Sequence, residues 1–329
     1  MKKLILFAFA AIALFSCGTS RNQSVGKHVE KFDAGSRFMP GFTEDFSTSE
    51  PQHFITKREP LQYFSGVHSF GEENTDVLLM RIQPSDSAGP NYGPEIGTPQ
   101  LTHFGTYSAR LRMPRLCEVQ PNVGMVTGLF TYRFTPGFGL SEIDFEWLMA
   151  DPTIIYIGTW TSAPDDVNKL QRVGRTVNMA KGDILYTIYY SYHDNGFVYP
   201  VSEHHFDESD DAALTPRTIQ AIDGYDASKQ FYVYGFDWYP DRLRWWVEHP
   251  ETGEKIVLWD YRGTTPLFSG IPQPPTNFML NFWHTNNWSA ETVPNSTEAP
   301  KYPYLLEVDW LKYEPFEDLS ADWMKKNNY

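Results

Sequence analysis

Eight short segments of this chain are dense in aromatic and branched residues and are set apart by Pro, Gly, Asn and Asp. They are TYSARLRM (106–113), MVTGLFTYRF (125–134), EIDFEWLM (142–149), IIYIGTW (154–160), FYVYGFDWY (231–239), RLRWWVEH (242–249), NFMLNFWH (277–284) and LLEVDWLKY (305–313). Each has the length and residue types of a β-strand. No helical pattern of similar length comes between them, so parallel strands joined by crossover helices are excluded. Such strands can bury their apolar faces only against one another, in an antiparallel sandwich or barrel. The 329 residues are enough for one large core, and no fixed-period repeat is present.

The body of the chain is taken as 37–316. Within it, 164–222 has charge clusters such as DESDD (207–211) and weaker alternation, and is expected to be an insertion or a set of long loops. Residues 317–329 form a tail, with ADWMKKNN expected to be a short helix. Ahead of the body, Lys2 and Lys3 precede the apolar run LILFAFAAIALF. That run has the length of a signal-peptide core and is short for a membrane span. Its end, LFSC (14–17), is similar to a bacterial lipobox. The expectation is a signal peptide at 1–16, a lipid on Cys17 and a flexible tether at 17–36. This makes the protein exported and lipid-anchored to a bacterial membrane, with the outer membrane favoured; an ordinary secretory signal is the alternative. Cleavage would leave Cys117 as the sole free cysteine, so no intrachain disulfide is expected. A net charge of −14 argues against a nucleic-acid partner, which needs clustered Lys and Arg.

One segment departs from ordinary strand chemistry. In SEIDFEWLM (141–149), Glu142, Asp144 and Glu146 occupy alternate positions. A strand places them on one face and turns Ile143 and Phe145 to the other. Three acids in a row repel one another, and strands disfavour Asp and Glu, so stability does not explain them. Glycoside hydrolysis does: a retaining enzyme pairs a carboxylate nucleophile with a protonated carboxylic acid about 5–5.5 Å away. Negative neighbours raise a carboxyl's pKa and keep it protonated near neutral pH. Four strand residues span about 13 Å between Cα atoms, so side chains that lean inward on a bent strand are required.

FGTYSARLRMP, VTGLFTYRF, SEIDFEWL, FYVYGFDWYPDRLRWWVE, NFMLNFWH and LLEVDWLKYEP occur in this order, and together the chain resembles glycoside hydrolase family 16 over nearly all of 37–316. The compact ExDxE spacing is similar to that of lichenases and xyloglucan-active members. The blocks Leu129-Phe130-Thr131-Tyr132 and Asp226-Ala227-Ser228-Lys229-Gln230-Phe231 lean towards lichenase. The resemblance implies an all-β jelly-roll of two curved antiparallel sheets with an open cleft on the concave face. It implies Glu142 as nucleophile, Glu146 as acid/base and Asp144 as assisting residue, acting on a polysaccharide, with mixed-linkage β-1,3-1,4-glucan as the leading substrate. Xyloglucan hydrolysis or transglycosylation, cleavage of another β-glucan or galactan, and a non-catalytic glycan-binding lipoprotein stay open.

Trp160, Trp283 and Trp288 are candidates for stacking on sugar faces. Tyr132 and Arg133 are candidates for hydrogen bonds near the scissile bond, and Asn281 for a subsite contact. Trp245 and Trp246 are adjacent, so at most one can face the cleft. No cofactor is required by this chemistry. The resemblance makes Asp309, in Glu307-Val308-Asp309, a candidate ligand for a structural calcium. The alternative for Asp309 is an ordinary surface aspartate.

Overall fold

The computed structural model describes residues 37–58, 63–70, 75–84, 93–163, 166–193, 196–198, 218–263, 270–286 and 297–329. In chain order its strands are β1 (Phe42–Glu44), β2 (Ile55–Arg58), β3 (Tyr63–His68), β4 (Asp76–Ile82), β5 (Glu95–Gly97) and β6 (Gly105–Arg112). Next come β7 (Met125–Thr135), β8 (Gly139–Leu148), β9 (Ile154–Ser162), β10 (Leu170–Asn178), β11 (Asp183–His193) and β12 (Gly196–Val198). The last are β13 (Tyr232–Tyr239), β14 (Arg242–Glu248), β15 (Lys255–Tyr261), β16 (Asn277–His284) and β17 (Tyr304–Pro315), followed by helix α1 (Glu317–Asn327).

They form two antiparallel sheets, the sandwich that the strand pattern allows and that the resemblance implies as a jelly-roll. The eight-stranded sheet runs β15-β14-β13-β6-β17-β4-β3, with β1 paired to β17; the nine-stranded sheet runs β12-β11-β10-β9-β8-β7-β16-β5-β2. Neither sheet closes on itself, so the nine-stranded sheet keeps one face for the core and one outward. Alternation decides which residues go where. Ile143, Phe145 and Trp147 of β8 enter one contiguous core with Leu129, Ile157, Val173, Phe278 and Leu280 of the same sheet. Across from them lie Tyr107, Leu111, Tyr234, Phe236, Trp245 and Leu306 of the other sheet. Each large apolar side chain buried there contributes about 1.5–3 kcal/mol.

The core ties β8 in place directly. Trp245 on β14 reaches across the sandwich and donates its indole N–H to the main-chain oxygen of Asp144 at 3.1 Å. Trp246, its neighbour, points to the other side of the eight-stranded sheet, where Lys255 Nζ lies 3.6 Å from the ring centroid. Neither tryptophan faces the carboxylate row.

The segment 164–222 corrects one expectation. It is not only loop: β10, β11 and β12 lie within it and widen the nine-stranded sheet beyond β9. Polar residues on both faces of LQRVGRTVN hide the period of two that marks the other strands. DESDD (207–211) falls outside the described residues, as do 1–36. At the C-terminus, α1 carries Glu317 and Asp318 in its first turn and Lys325 and Lys326 in its last, which suits the helix dipole. It docks through Trp323 on His103, with ring centroids 5.0 Å apart.

Candidate active site

Strand β8 sits within the nine-stranded sheet, flanked by β7 and β9. With Ile143, Phe145 and Trp147 in the core, Glu142, Asp144 and Glu146 share the outward face. Glu142 is buried, while Asp144 and Glu146 are half-buried. The pairing register builds three transverse lanes through them. Glu142 stands between Tyr132 and Trp160, with Asn277 and Arg172 one strand further out on either side. Asp144 stands between Phe130 and Gly158, with Met279 and Gly174 beyond. Glu146 stands between Gly128 and Tyr156, with Asn281 and Thr176 beyond.

Two of the glycines in these lanes, Gly128 and Gly158, have definite spatial reasons. A Cβ on Gly128 would come within 2.6 Å of Asn281 Oδ1, so the amide of Asn281 lies over Gly128, next to Glu146. Asn281 Oδ1 is buried without a hydrogen-bond partner, which leaves a polar atom available to a ligand. A Cβ on Gly158 would come within 2.4 Å of the main-chain oxygen of Val173, so only glycine lets β9 and β10 approach this closely. Over Gly174 lies the side chain of Arg172, with Nε 3.4 Å and Nη2 3.5 Å from where a Cβ would be. The same guanidinium stands 5.3 Å from the ring centroid of Trp160.

Electrostatics separate this row from a solvated strand face. Burial, with the charge of Glu146 added, pushes Glu142 up to about 8. Burial and the charges of Glu142 and Glu146 hold Asp144 well above the usual carboxylate range. Burial raises Glu146 to about 7. Arg172 opposes the rise at all three. The protons belong to the row as a whole rather than to one residue. Near neutral pH it therefore holds carboxylate and carboxylic acid together, which is what an acid/base pair requires.

Of the residues singled out in the sequence, the structure gathers Tyr132, Trp160, Asn281 and Trp283 on the outward face with the row. Trp283 packs on a second apolar cluster of Val126, Leu148, Ala150, Ile154 and Tyr156, at the Glu146 end. Arg133 does not join them: it follows Tyr132 on β7 and alternates to the opposite face, and its Nε is buried without a partner. Trp288 and Cys17 lie outside the described residues. Asp309 does not fit a calcium ligand, because its carboxylate accepts from Arg110 Nη1 at 2.6 Å and a cation there would face a guanidinium. Its companion Glu307 is buried against Arg112 Nε at 2.6 Å and accepts from Phe70 N at 2.8 Å. Arg110 and Arg112 both lie on the Phe231 ring, at 4.6 and 4.8 Å, so Phe231 of the DASKQF block braces this structural ion-pair cluster.

Arg172 and the glycines at 128, 158 and 174 were not legible as site residues. Their signal was present: once LQRVGRTVN is taken as a strand, Arg172 and Gly174 fall on one face.

No protein-family model matches the chain. A beta-glucanase of Brevibacillus brevis is 31% identical over 258 residues, covering 76% of this chain and 71% of that protein. A beta-glucanase of Acetivibrio thermocellus is 40% identical over 95 residues, 28% of this chain and 23% of that protein. Among solved structures, the Bacillus licheniformis beta-glucanase aligns with a TM-score of 0.46 at 17% identity, covering 84% of this chain and 98% of that one.

Proposed function

The chain belongs to the beta-glucanase family of glycosidases, and on that premise we propose that it is a retaining endo-β-glucanase whose chemistry is carried by Glu142, Asp144 and Glu146. The observation that supports this reading is the carboxylate row itself, on the outward face of β8, with every member's pKa raised. Glu142 attacks the anomeric carbon while Glu146 protonates the leaving oxygen. Glu146 then draws a proton from water, whose oxygen bonds to the anomeric carbon as the bond to Glu142 breaks, freeing the sugar and the Glu142 carboxylate. Asp144, between the two, holds charge or proton as each step demands. As folded, Glu142 stands above Glu146, the reverse of what these roles need. Because the row shares its protons, a sugar oxygen arriving at Glu146 draws one there, and Glu142 is left ionised.

Tyr132 and Trp160 flank the attacking group, and Asn281 and Trp283 receive sugars at the Glu146 end. The compact ExDxE spacing suits lichenases and xyloglucan-active enzymes alike, and the blocks at 129–132 and 226–231 favour mixed-linkage β-1,3-1,4-glucan, with xyloglucan as the second choice. The residue chemistry calls on no cofactor. LFSC (14–17) supports export and lipid attachment at Cys17 to a bacterial membrane. Labelled palmitate should then enter the wild type and not Cys17→Ala.

Glu142→Gln and Glu146→Gln should each lower kcat by roughly 10²–10⁴-fold, measured as reducing ends released from barley glucan, laminarin, xyloglucan and agarose. Anomeric NMR of the first product should show retention. Wild-type rates in both variants would overturn the assignment.

A further inference from the structure

A lane without side chains runs out from the middle of the carboxylate row. Gly158 pairs with Asp144 across β8 and β9, and Gly174 pairs with Gly158 across β9 and β10. Two strand spacings, about 10 Å of backbone, thus carry no Cβ on the outward face. The guanidinium of Arg172 lies along this lane, over Gly174. Trp160 shapes it further: the ring stands between Arg172 and Glu142 in the adjacent lane, 5.3 Å from the guanidinium carbon.

We infer that Arg172 is a positioning residue for the carboxylate row, a fixed counter-charge held over the Gly158–Gly174 lane against which Glu142, Asp144 and Glu146 keep their negative charge. The inference rests on the glycosidase reading for its consequence in catalysis, though not for its geometry. Three acids in one half-buried row raise one another's affinity for protons. A nucleophile that must be ionised needs a compensating positive charge, and Arg172 is the cation whose charge acts on all three. The other charged groups placed on this face by register are Glu95 and Arg58, on β5 and β2, and they are occupied with each other at 3.1 Å. Lys57 lies over Gly97 beside Met279, on the same side of the sheet as that pair. Among the described residues, the remaining titratable groups at facing positions are Tyr132 on β7, Tyr156 on β9 and, by register on β11, Tyr186. Arginine suits the post because it stays charged throughout the working pH range and its planar head stacks on an indole.

The test uses the full chain with Arg172→Gln and Arg172→Lys, read in two ways. The first is the ¹³C titration of the Glu142, Asp144 and Glu146 carboxyls by NMR, which needs no substrate. The second is the pH profile of kcat/KM on barley glucan. Arg172→Gln should move the carboxyl titrations and the acid limb of the profile up by on the order of half to one pH unit. Rates on that limb would then fall about three- to tenfold. Arg172→Lys, which keeps the charge, should restore both. Titrations in Arg172→Gln that overlay the wild type would overturn the inference, as would an Arg172→Lys variant displaced as far as Arg172→Gln. If the titrations move as expected while the wild type cuts no glucan, the counter-charge stands and the glycosidase reading falls.

Discussion

At the scale of single residues, the row works against the fold. In the unfolded chain a glutamate titrates near 4.5, whereas Glu142 in the folded chain titrates at about 8. The folded protein therefore holds that proton to higher pH than the unfolded one does. Its contribution to stability is complete below about pH 4.5 and is lost as pH rises towards 8. Glutamine has the shape of the protonated acid and never ionises. Glu142→Gln should therefore unfold at a higher temperature than the wild type at pH 8, with the gap closing as pH falls towards 4.5. A domain of this size gains about 2–4 °C for each kcal/mol relieved. Calorimetry at several pH values checks this, and a gap that did not vary with pH would contradict it. Loss of activity with gain of stability at one position is the usual signature of a site held under electrostatic strain.

At the scale of elements, the glycines of β7 and β9 do different work although both lie beside the row. Gly158 faces main-chain oxygen at 2.4 Å, which cannot move without parting β9 from β10. Gly158→Ala should cost about 1–3 kcal/mol of stability, measured by denaturant unfolding, and should disturb Arg172 through β10. Gly128 faces only the end of the Asn281 side chain, at 2.6 Å. Gly128→Ala should fold with near-native stability but push the Asn281 amide aside. Losing one hydrogen bond to a sugar would raise KM on barley glucan roughly two- to tenfold. Equal destabilisation of the two variants would show that the lanes are not built as described. The motif blocks divide in the same way. SEIDFEWL carries chemistry on one face and core on the other, whereas DASKQF serves structure, with Asp226 accepting from Ser228 N at 2.9 Å in its turn and Phe231 under two guanidiniums.

At the scale of the whole molecule, α1 and the loop before β16 close one end of the sandwich around His103. That ring is buried among Phe104, Trp238 and Trp323, and its Nε2 donates to the main-chain oxygen of Gln273 at 2.8 Å. Burial lowers its pKa from 6.5 to about 4. Here the unfolded chain binds the proton first, so the stability His103 contributes is present above pH 6.5 and is lost as pH falls towards 4. The carboxylate row and the buried histidine thus pull the stability optimum in opposite directions. His103→Gln keeps a donor for Gln273 and should flatten the acid side of the profile, by at most about 1.4 kcal/mol per pH unit for one proton. Unfolding free energies between pH 4 and 6.5 test this. A slope equal to that of the wild type would mean the proton is taken up elsewhere.

Strand-length runs of aromatic and branched residues, without helices between them, were enough to determine an antiparallel sandwich or barrel, because such runs have no other way to bury their faces; the tertiary structure decided for two open sheets. Alternation within SEIDFEWLM likewise determined that three acids share a face, because the period of a strand follows from backbone geometry alone. Which strands stand next to β8 depends on pairing between residues far apart in the chain, and local pattern does not encode it. Tertiary structure alone therefore decided that Trp160 and Tyr132 flank Glu142, that Arg133 turns away, and that Asp309 is engaged by Arg110. It also decided that Arg172, in a stretch whose polar residues hide its period, comes to lie in the glycine lane beside Asp144.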